Sequence, residues 1–386
     1  MSTSHQHQTL RAADDAARET AAPDRRPRLA QAIEELLDPG IIGITVRVND
    51  LHGEWTGAAG VAEIGGVAGP PVEGHVRIGS NTKTFTAAMV LRLVAEGRID
   101  LDAPVADHLP EFDLDPRITV RMLLQQTSGI FNFTGEVEED GSYALGTTIP
   151  YGPNGDDWIE RRFDTVQARD LVEFALAQPP RFEPGARWSY SNTNYVLTRL
   201  LVERVTGRTA GEELQRLILA PLGLAHTVIP SDAEIAEPHA RAYFRHTTDD
   251  GTTIVDITRQ DPSWVAAGGD MISTTADLHT FIAALTGGGL LPDELRREMF
   301  TPVDTGLPGM GYGLGVFVLT TADGTTVISH NGAAVGHAAL MYATPDGSTT
   351  LTAALNCVDD ASLTVAAAFA GAQQRLLGEV FGTETA

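Results

Sequence analysis

Residues 76–97 read VRIGSNTKTFTAAMVLRLVAEG, and the pattern of apolar side chains changes within this stretch. From Ser80 onward the apolar residues recur with the 3.6-residue period of a helix, and Gly97 follows the last of them. The stretch therefore predicts an amphipathic helix that begins at Ser80. Ser80 and Lys83 are three positions apart, so they share one helix face and the lysine amine can reach the serine hydroxyl.

The segment Ser80-Asn81-Thr82-Lys83 places a nucleophile beside a base. A serine hydroxyl is a weak nucleophile until a neighbouring group accepts its proton, and a desolvated lysine with a lowered pKa can do so. The helix N-terminus adds backbone N–H groups where negative charge develops during acyl transfer. The same four residues are also typical of a capping serine followed by an exposed lysine, so the catalytic hypothesis needs support from elsewhere in the chain.

Two further motifs carry groups that acyl transfer can use. Tyr190-Ser191-Asn192 precedes a second helical pattern, and there Tyr190 can relay a proton while Asn192 can hold a substrate carbonyl. His330-Asn331-Gly332 ends a β-rich run, where an imidazole and a residue without a side chain can flank a substrate laid along a strand. Taken singly, each motif also fits a structural role, such as a core tyrosine or a strand-end histidine.

The order of helical and β patterns predicts two units. The N-terminal part shows a helix and a two-stranded hairpin, and the C-terminal part shows several β-rich runs and a final helix. The stretch between them is rich in helical patterns. We expect a disordered tail at 1–24, an α/β domain from 25–105 and 265–386, and a mostly helical domain from 106–264.

Composition narrows the classes of function. The chain has 386 residues, with 27 Lys and Arg against 51 Asp and Glu, which gives a formal net charge of −24. Such a charge repels phosphate backbones and anionic lipids, so neither nucleic acid nor a membrane is an expected partner. No apolar run approaches the ~20 residues of a membrane span, and the N-terminus lacks the apolar region of a secretion signal. We therefore expect a cytoplasmic protein.

Sequence signals for metals and cofactors are weak. His5 and His7 lie in the tail, and the remaining histidines show no ligand spacing with cysteine or carboxylate motifs. No phosphate-binding glycine loop is present, and the single cysteine, Cys357, cannot form an intramolecular disulfide. We expect neither a metal nor a cofactor, because covalent serine chemistry needs neither.

The three motifs at positions 80, 190 and 330 together resemble those of the penicillin-recognising serine enzymes. The chain is similar to the serine β-lactamase-like family related to class C β-lactamases, with the pattern of low-molecular-weight D-alanyl-D-alanine carboxypeptidases that carry a His-x-Gly motif. The likeness extends from about Leu29 to Phe381. It includes 97–102 (GRIDLD), 127–129 (TSG), 182–185 (FEPG), 191–195 (SNTNY), 272–278 (ISTTADL) and 311–315 (GYGLG).

The resemblance implies an α/β (α+β) fold of the β-lactamase/transpeptidase type. It has a five-stranded antiparallel sheet flanked by helices and an all-helical domain, with the active site at their junction. Ser80 then matches the acylated nucleophile, Lys83 its activating base and Tyr190 the residue that protonates the leaving group. Whether Lys83 or Tyr190 takes the first proton stays open.

The resemblance also implies how the substrate is held. Asn192 matches the side chain that binds the acyl-side amide, and His330 and Gly332 belong to the third motif. The backbone N–H groups of Ser80 and Ala333 would form the oxyanion hole.

The sequence departs from the family where a free carboxylate would bind. In the carboxypeptidases an arginine and two threonines anchor that carboxylate, and the matching positions here are Phe317, Asn331 and Ala333. Phe317 offers no donor, so we expect weakened recognition of a free D-alanine leaving group. Trp264 is interpreted as either a cleft residue or a core residue. The acidic segment 131–162 is interpreted as either a substrate-selecting lid or a solvated loop.

These observations lead to one function hypothesis and two alternatives. The first is an intracellular serine acyl-enzyme catalyst that cleaves an amide or ester and passes the acyl group to water or to an amine. Its expected partners are a small-molecule or peptide-like substrate and an amine acceptor. The alternatives are a D-alanyl-D-alanine carboxypeptidase or β-lactamase, and a non-catalytic binding or sensor module.

Overall fold

The computed structural model describes residues 26–38, 40–137, 143–147, 155–248, 251–321 and 323–382, and the predicted tail at 1–24 lies outside them. Helices occupy α1 (Arg26–Glu35), α2 (Asn81–Ala95), α3 (Val105–His108), α4 (Val120–Gln125), α5 (Gly155–Arg161), α6 (Ala168–Leu176), α7 (Asn192–Thr206), α8 (Ala210–Leu214), α9 (Ala220–Leu222), α10 (Thr275–Thr286), α11 (Asp293–Met299) and α12 (Ala366–Phe381). A π-helical turn (Gln215–Leu219) joins α8 to α9, and a 3₁₀ turn covers Pro262–Val265.

Strands occupy β1 (Ile41–Asp50), β2 (Gly53–Gly60), β3 (Val76–Arg77), β4 (Glu136–Val137), β5 (Tyr143–Ala144), β6 (Tyr243–Thr248), β7 (Gly251–Asp256), β8 (Ile272–Ser273), β9 (Val303–Leu307), β10 (Met310–Tyr312), β11 (Phe317–Thr320), β12 (Thr326–Ala334), β13 (His337–Ala343) and β14 (Thr350–Asp360). The main sheet has the order β2-β1-β14-β13-β12-β11-β10-β9, with neighbours antiparallel.

The sheet is wider than the resemblance implied. It contains ten strands within the described ranges rather than five, because β11 and two hairpins extend it. The β9–β10 hairpin pairs with β11 at one edge, and β6 pairs in parallel with the end of β14, at Val358–Asp360. Unpaired backbone groups at a strand edge readily accept further strands, which explains the additions. The β6–β7 hairpin lies inside the segment 106–264, which is therefore not helical throughout.

Helices cover both faces of the sheet. On one face, Leu29 of α1 and Leu376 of α12 pack against sheet residues such as Leu340 and Leu355. On the other face, α2 and α10 pack between the sheet and the helices of the central segment. This double burial is why the candidate site lies at a junction between layers.

Helix α2 is buried around nearly its whole circumference rather than on one face. Every residue from Asn81 to Leu91 is buried, since the sheet covers one side and the central helices cover the other. Its N-terminus is pressed against β12, where a Cβ on Gly332 would lie 2.0 Å from the carbonyl oxygen of Ile78. Gly79, at φ +49°, also has no room for a side chain beside Ala333. These two glycines therefore allow Ser80 to sit directly against β12.

Candidate active site

Ser80 lies at the start of α2 between two proton-carrying side chains. Its Oγ is 3.0 Å from Lys83 Nζ and 2.7 Å from Tyr190 Oη. Lys83 reaches Ser80 because one helical turn separates them, whereas Tyr190 approaches from the loop before α7. The structure thus brings together the three residues that sequence motifs alone predicted as catalytic.

Lys83 is completely buried and surrounded by oxygen atoms. Its Nζ lies 2.7 Å from Asn192 Oδ1 and also contacts the carbonyl oxygen of Gly268. Burial lowers the pKa of Lys83 well below its ordinary value, and the negative charge of Asp270 opposes that shift. A lysine in this state is available as a base near neutral pH, which an exposed lysine is not.

Tyr190 has the opposite acid–base character. Burial raises its pKa well above the ordinary value, although its hydrogen bond with Ser80 works in the other direction. Tyr190 therefore keeps its proton at neutral pH and can supply it to a leaving group. The Ser80 hydroxyl contacts both Lys83 Nζ and Tyr190 Oη and therefore links the two groups.

His330 is held neutral beside these residues. Burial and the nearby Lys83 lower its pKa to about 3. Nδ1 lies 2.7 Å from the carbonyl oxygen of Asn331 and Nε2 lies 3.3 Å from Tyr312 Oη. Since a carbonyl can only accept, Nδ1 carries the proton and Nε2 accepts from the tyrosine. His330 therefore shapes the pocket without adding charge.

Asn192, the first residue of α7, connects Lys83 to the acidic segment 131–162. Its Nδ2 donates to Thr134 Oγ1 at 3.2 Å, and its backbone N donates to Asn132 Oδ1 at 3.0 Å. The part of this segment that the structure describes therefore borders the site. Its acidic residue Glu136 is buried and pairs with Arg181 at 3.0 Å. Glu138, Glu139 and Asp140 lie outside the described residues.

The backbone around Ser80 lies directly against that of β12. A Cβ on Gly332 would lie 2.4 Å from the Ser80 nitrogen, and a Cβ on Gly79 would lie 2.7 Å from the Ala333 nitrogen. The Ser80 and Ala333 amides therefore lie on neighbouring stretches of backbone, and their role as an oxyanion hole stays a prediction.

An aromatic wall completes the site, formed by Trp188, Tyr312, Phe317 and His330. The Phe317 ring lies 4.7 Å from the Tyr312 ring, 5.2 Å from His330 and 6.4 Å from Trp188, measured between centroids. Phe317 thus lies in the aromatic cluster beside His330, and its contact with a leaving group stays a prediction. Phe317 and its wall partners contribute ring faces rather than cationic donors at this position.

Two predicted site residues are placed elsewhere. The Asn331 side chain hydrogen-bonds with Tyr342, which belongs to the core on the opposite face of the sheet, because successive strand residues alternate between faces. Asn331 therefore offers the site its backbone alone. Trp264 is buried in a cluster with Trp158 and Phe244 and donates from Nε1 to Gln260 Oε1 at 3.2 Å. That cluster supports its interpretation as a core residue.

Sequence reasoning missed three contributors to the site. The carbonyl of Gly268 contacts Lys83, and Tyr312 and Trp188 form part of the wall. Signals existed for two of them, since Gly268 lies in an AAGG turn and Tyr312 in the GYGLG segment. A backbone carbonyl carries no side-chain pattern, however, and Trp188 had no motif beyond its nearness to Tyr190.

Neither a metal centre nor a membrane span is found in the part of the chain that the structure describes. Within it, His, Cys, Asp and Glu side chains do not gather in groups of three that could hold a metal ion. The helices of the same residues lack the combined length and apolar character that crossing a bilayer requires.

Comparisons with known proteins agree with this geometry. The Beta-lactamase family model matches residues 29–375, and the chain belongs to that family. A crystal structure of a D-stereospecific amidohydrolase from Streptomyces sp. superposes with a TM-score of 0.78 at 35% identity, covering 94% of this chain and all of that one. The D-amino acid amidase from Ochrobactrum anthropi SV3, complexed with D-phenylalanine, gives a TM-score of 0.74 at 25% identity over 92% of this chain and all of the amidase.

Curated relatives are more distant. PbpX of Bacillus subtilis (strain 168) is 26% identical over 235 residues, which is 61% of this chain. Protein flp of Staphylococcus aureus (strain MRSA252) is 27% identical over 210 residues, 53% of this chain. The chain spans about half of PbpX and 37% of flp. Fold and relatives together place the chain in the Beta-lactamase family.

Proposed function

We propose that the protein is a serine amidase that acts on small D-amino acid amides or D-configured peptide-like substrates through an acyl-enzyme on Ser80. The observation that carries this proposal is the position of Ser80 Oγ between Lys83 Nζ and Tyr190 Oη. Preference for D-configuration is supported by the names of the D-stereospecific amidohydrolase and the D-amino acid amidase that superpose on this chain.

The hydrogen-bond partners of the Lys83 amine favour Lys83 as the first base. A neutral amine has two N–H groups and one lone pair, and Lys83 has two oxygen acceptors, in Asn192 and Gly268, and one hydroxyl neighbour, Ser80. The two N–H groups satisfy the acceptors, which leaves the lone pair facing Ser80. Tyr190 then donates to the same hydroxyl. A proton chain from Tyr190 through Ser80 to Lys83 results.

The reaction follows from this chain. Ser80 Oγ attacks the substrate carbonyl carbon while its proton passes to Lys83, and the Ser80 and Ala333 amides stabilise the oxyanion. Tyr190 protonates the leaving nitrogen as the C–N bond breaks, and the proton on Lys83 then restores Tyr190. Water or an amine next attacks the acyl-enzyme, gives its proton to the same pair and releases Ser80.

The aromatic wall supports a neutral leaving group. A carboxylate placed against Phe317 would lose hydration without a cationic partner, which costs several kcal/mol. An amide or ester meets no such cost. D-Alanyl-D-alanine carboxypeptidase activity is therefore the weaker candidate.

The test compares enantiomers and a nucleophile variant. Purified protein is incubated with D-phenylalanine amide or L-phenylalanine amide, and ammonia release is measured with Ser80→Ala as the control. We expect turnover of the D-amide that is lost in the variant, and one covalent adduct on Ser80 by intact mass after treatment with a fluorophosphonate. A folded wild-type protein with neither turnover nor adduct would favour the non-catalytic binding module instead. Adding an amine acceptor then distinguishes hydrolysis from transfer.

A further inference from the structure

Arg199 and Asp270 form a nearly buried ion pair that does not touch Ser80. Both Nη atoms of Arg199 donate to the Asp270 carboxylate, one of them at 2.9 Å, and the two side chains are 13% and 5% exposed. Two parallel hydrogen bonds between a guanidinium and a carboxylate fix orientation as well as distance. The pair therefore fastens the elements that carry it in one geometry.

Each residue of the pair lies on the same element as one of the oxygen atoms that accept a hydrogen bond from Lys83. Arg199 lies on α7, two turns after Asn192. Asp270 accepts from the backbone N of Ala267 at 3.2 Å, which closes the turn whose next residue is Gly268. Asn192 and Gly268 supply the two oxygen atoms that contact the lysine amine besides Ser80.

The turn that carries Gly268 has a strained backbone and close contacts on both sides. Ala267 has φ +59°, a conformation that strains any residue with a Cβ. Gly268 leaves no space for a side chain, since a Cβ there would lie 2.8 Å from Asn192 Oδ1. After the turn, the backbone N of Met271 donates to Thr82 Oγ1 on α2 at 3.2 Å. The Gly268 carbonyl is therefore held between α7 and α2.

We propose that Arg199 and Asp270 are a positioning pair, which sets the spacing of the Asn192 and Gly268 oxygen atoms around Lys83 and balances the carboxylate charge that faces the lysine. The proposal rests on the acylation of Ser80 proposed above. The proposal assigns a role in the reaction to two residues that do not contact Ser80.

The charges around Lys83 determine how substitutions in the pair should change the pKa of this lysine. Asp270, on the turn, and neutral His330, on β12, lie near Lys83. The rings of Tyr190, in the loop before α7, and of Tyr195, on α7, also lie near its amine. Burial raises the pKa of both tyrosines, so they stay uncharged near neutral pH. Asp270 is the charged group of this set, and its carboxylate raises the pKa of Lys83.

The test uses Arg199→Met, Asp270→Asn and the double variant. Lys83 is the only lysine in the chain, so protein labelled with ¹³C-lysine gives one Cε side-chain NMR signal whose pH titration reports this amine directly. Arg199→Met removes the cation that is hydrogen-bonded to the carboxylate, while the buried Arg77 still interacts with Asp270, and it should raise the midpoint by about one pH unit. Asp270→Asn removes the carboxylate and should lower it by a similar amount. The double variant should lie near the wild-type midpoint.

A purely structural role predicts a different result, because loss of packing alone gives no opposite shifts. Arg204→Met is the matched control. Arg204 lies on the same helix as Arg199 but pairs with Glu111 at the surface, so its loss should leave the midpoint unchanged. Rates of Ser80 modification by a fluorophosphonate, measured against pH, should shift in the same directions as the NMR midpoints. Equal midpoints in all folded variants would overturn the pair's role. A wild-type protein without a Ser80 adduct would instead overturn the proposed function. If Arg199→Met fails to fold, Asp270→Asn and the double variant decide.

Discussion

The two sides of Ser80 are built from different chemistry. On one side, Lys83, Asn192 and the Gly268 carbonyl form a buried polar cluster in which each oxygen faces the lysine amine. On the other side, the rings of Phe317 and Tyr312 pack edge to face. We expect the first side to fix the protonation states of the site and the second side to decide which leaving groups are tolerated. Rate and specificity are therefore expected to respond to separate sets of substitutions.

The polar side should give the largest effect. Lys83→Met keeps the volume of the buried side chain but removes the base, so we expect kcat for D-phenylalanine amide to fall by about 10⁴-fold or more. Thermal unfolding should show a folded protein, because methionine needs no hydrogen-bond partner in that cavity. Retention of a tenth of the wild-type kcat would show that another group takes the Ser80 proton.

The aromatic side should change specificity rather than the chemical step. Phe317→Arg adds a donor facing the leaving group, and a charge-assisted hydrogen bond is worth about 1.5–3 kcal/mol. We expect kcat/KM for a peptide ending in free D-alanine, divided by that for its methyl ester, to rise about 10- to 150-fold. Phe317→Leu is the control, because it keeps an apolar wall without a charge. An unchanged ratio in folded Phe317→Arg would mean that the leaving group lies elsewhere.

The smallest effect concerns His330, where the two sides meet. Its folded pKa of about 3 lies below the unfolded value of about 6.5, so the unfolded state binds the proton more tightly and stability falls as pH drops through that window. At pH 5 the loss is about 2 kcal/mol for this histidine. His330→Gln should therefore lose less stability than wild type between pH 7 and pH 5 in urea unfolding.

The wild-type protein, unfolded in urea at both pH values, is the reference for that measurement. A His330→Gln variant with the same loss as wild type would mean that the imidazole is solvated and charged in the folded state.

Local sequence patterns predicted much of the fold. The helix that begins beside Ser80 and the β-rich run that leads to His330 were predicted because helical and β periodicities are strong over short windows, although β12 continues past His330 to Ala334. The predicted number of strands in the sheet was wrong. Strand β6 pairs with Val358–Asp360, and these segments are more than 100 residues apart along the chain, beyond the reach of local patterns. Element boundaries also depend on turns, such as the one at 313–316 that separates β10 from β11.

The sequence by itself determined the candidate set Ser80, Lys83 and Tyr190, because each carries a side chain whose chemistry is visible at a motif's spacing. Tertiary structure decided the rest. Only burial could lower the pKa of Lys83 and raise that of Tyr190, and only chain folding could bring the Gly268 carbonyl to the lysine. Protonation depends on desolvation and on distant charges, and neither is encoded in any short stretch of residues.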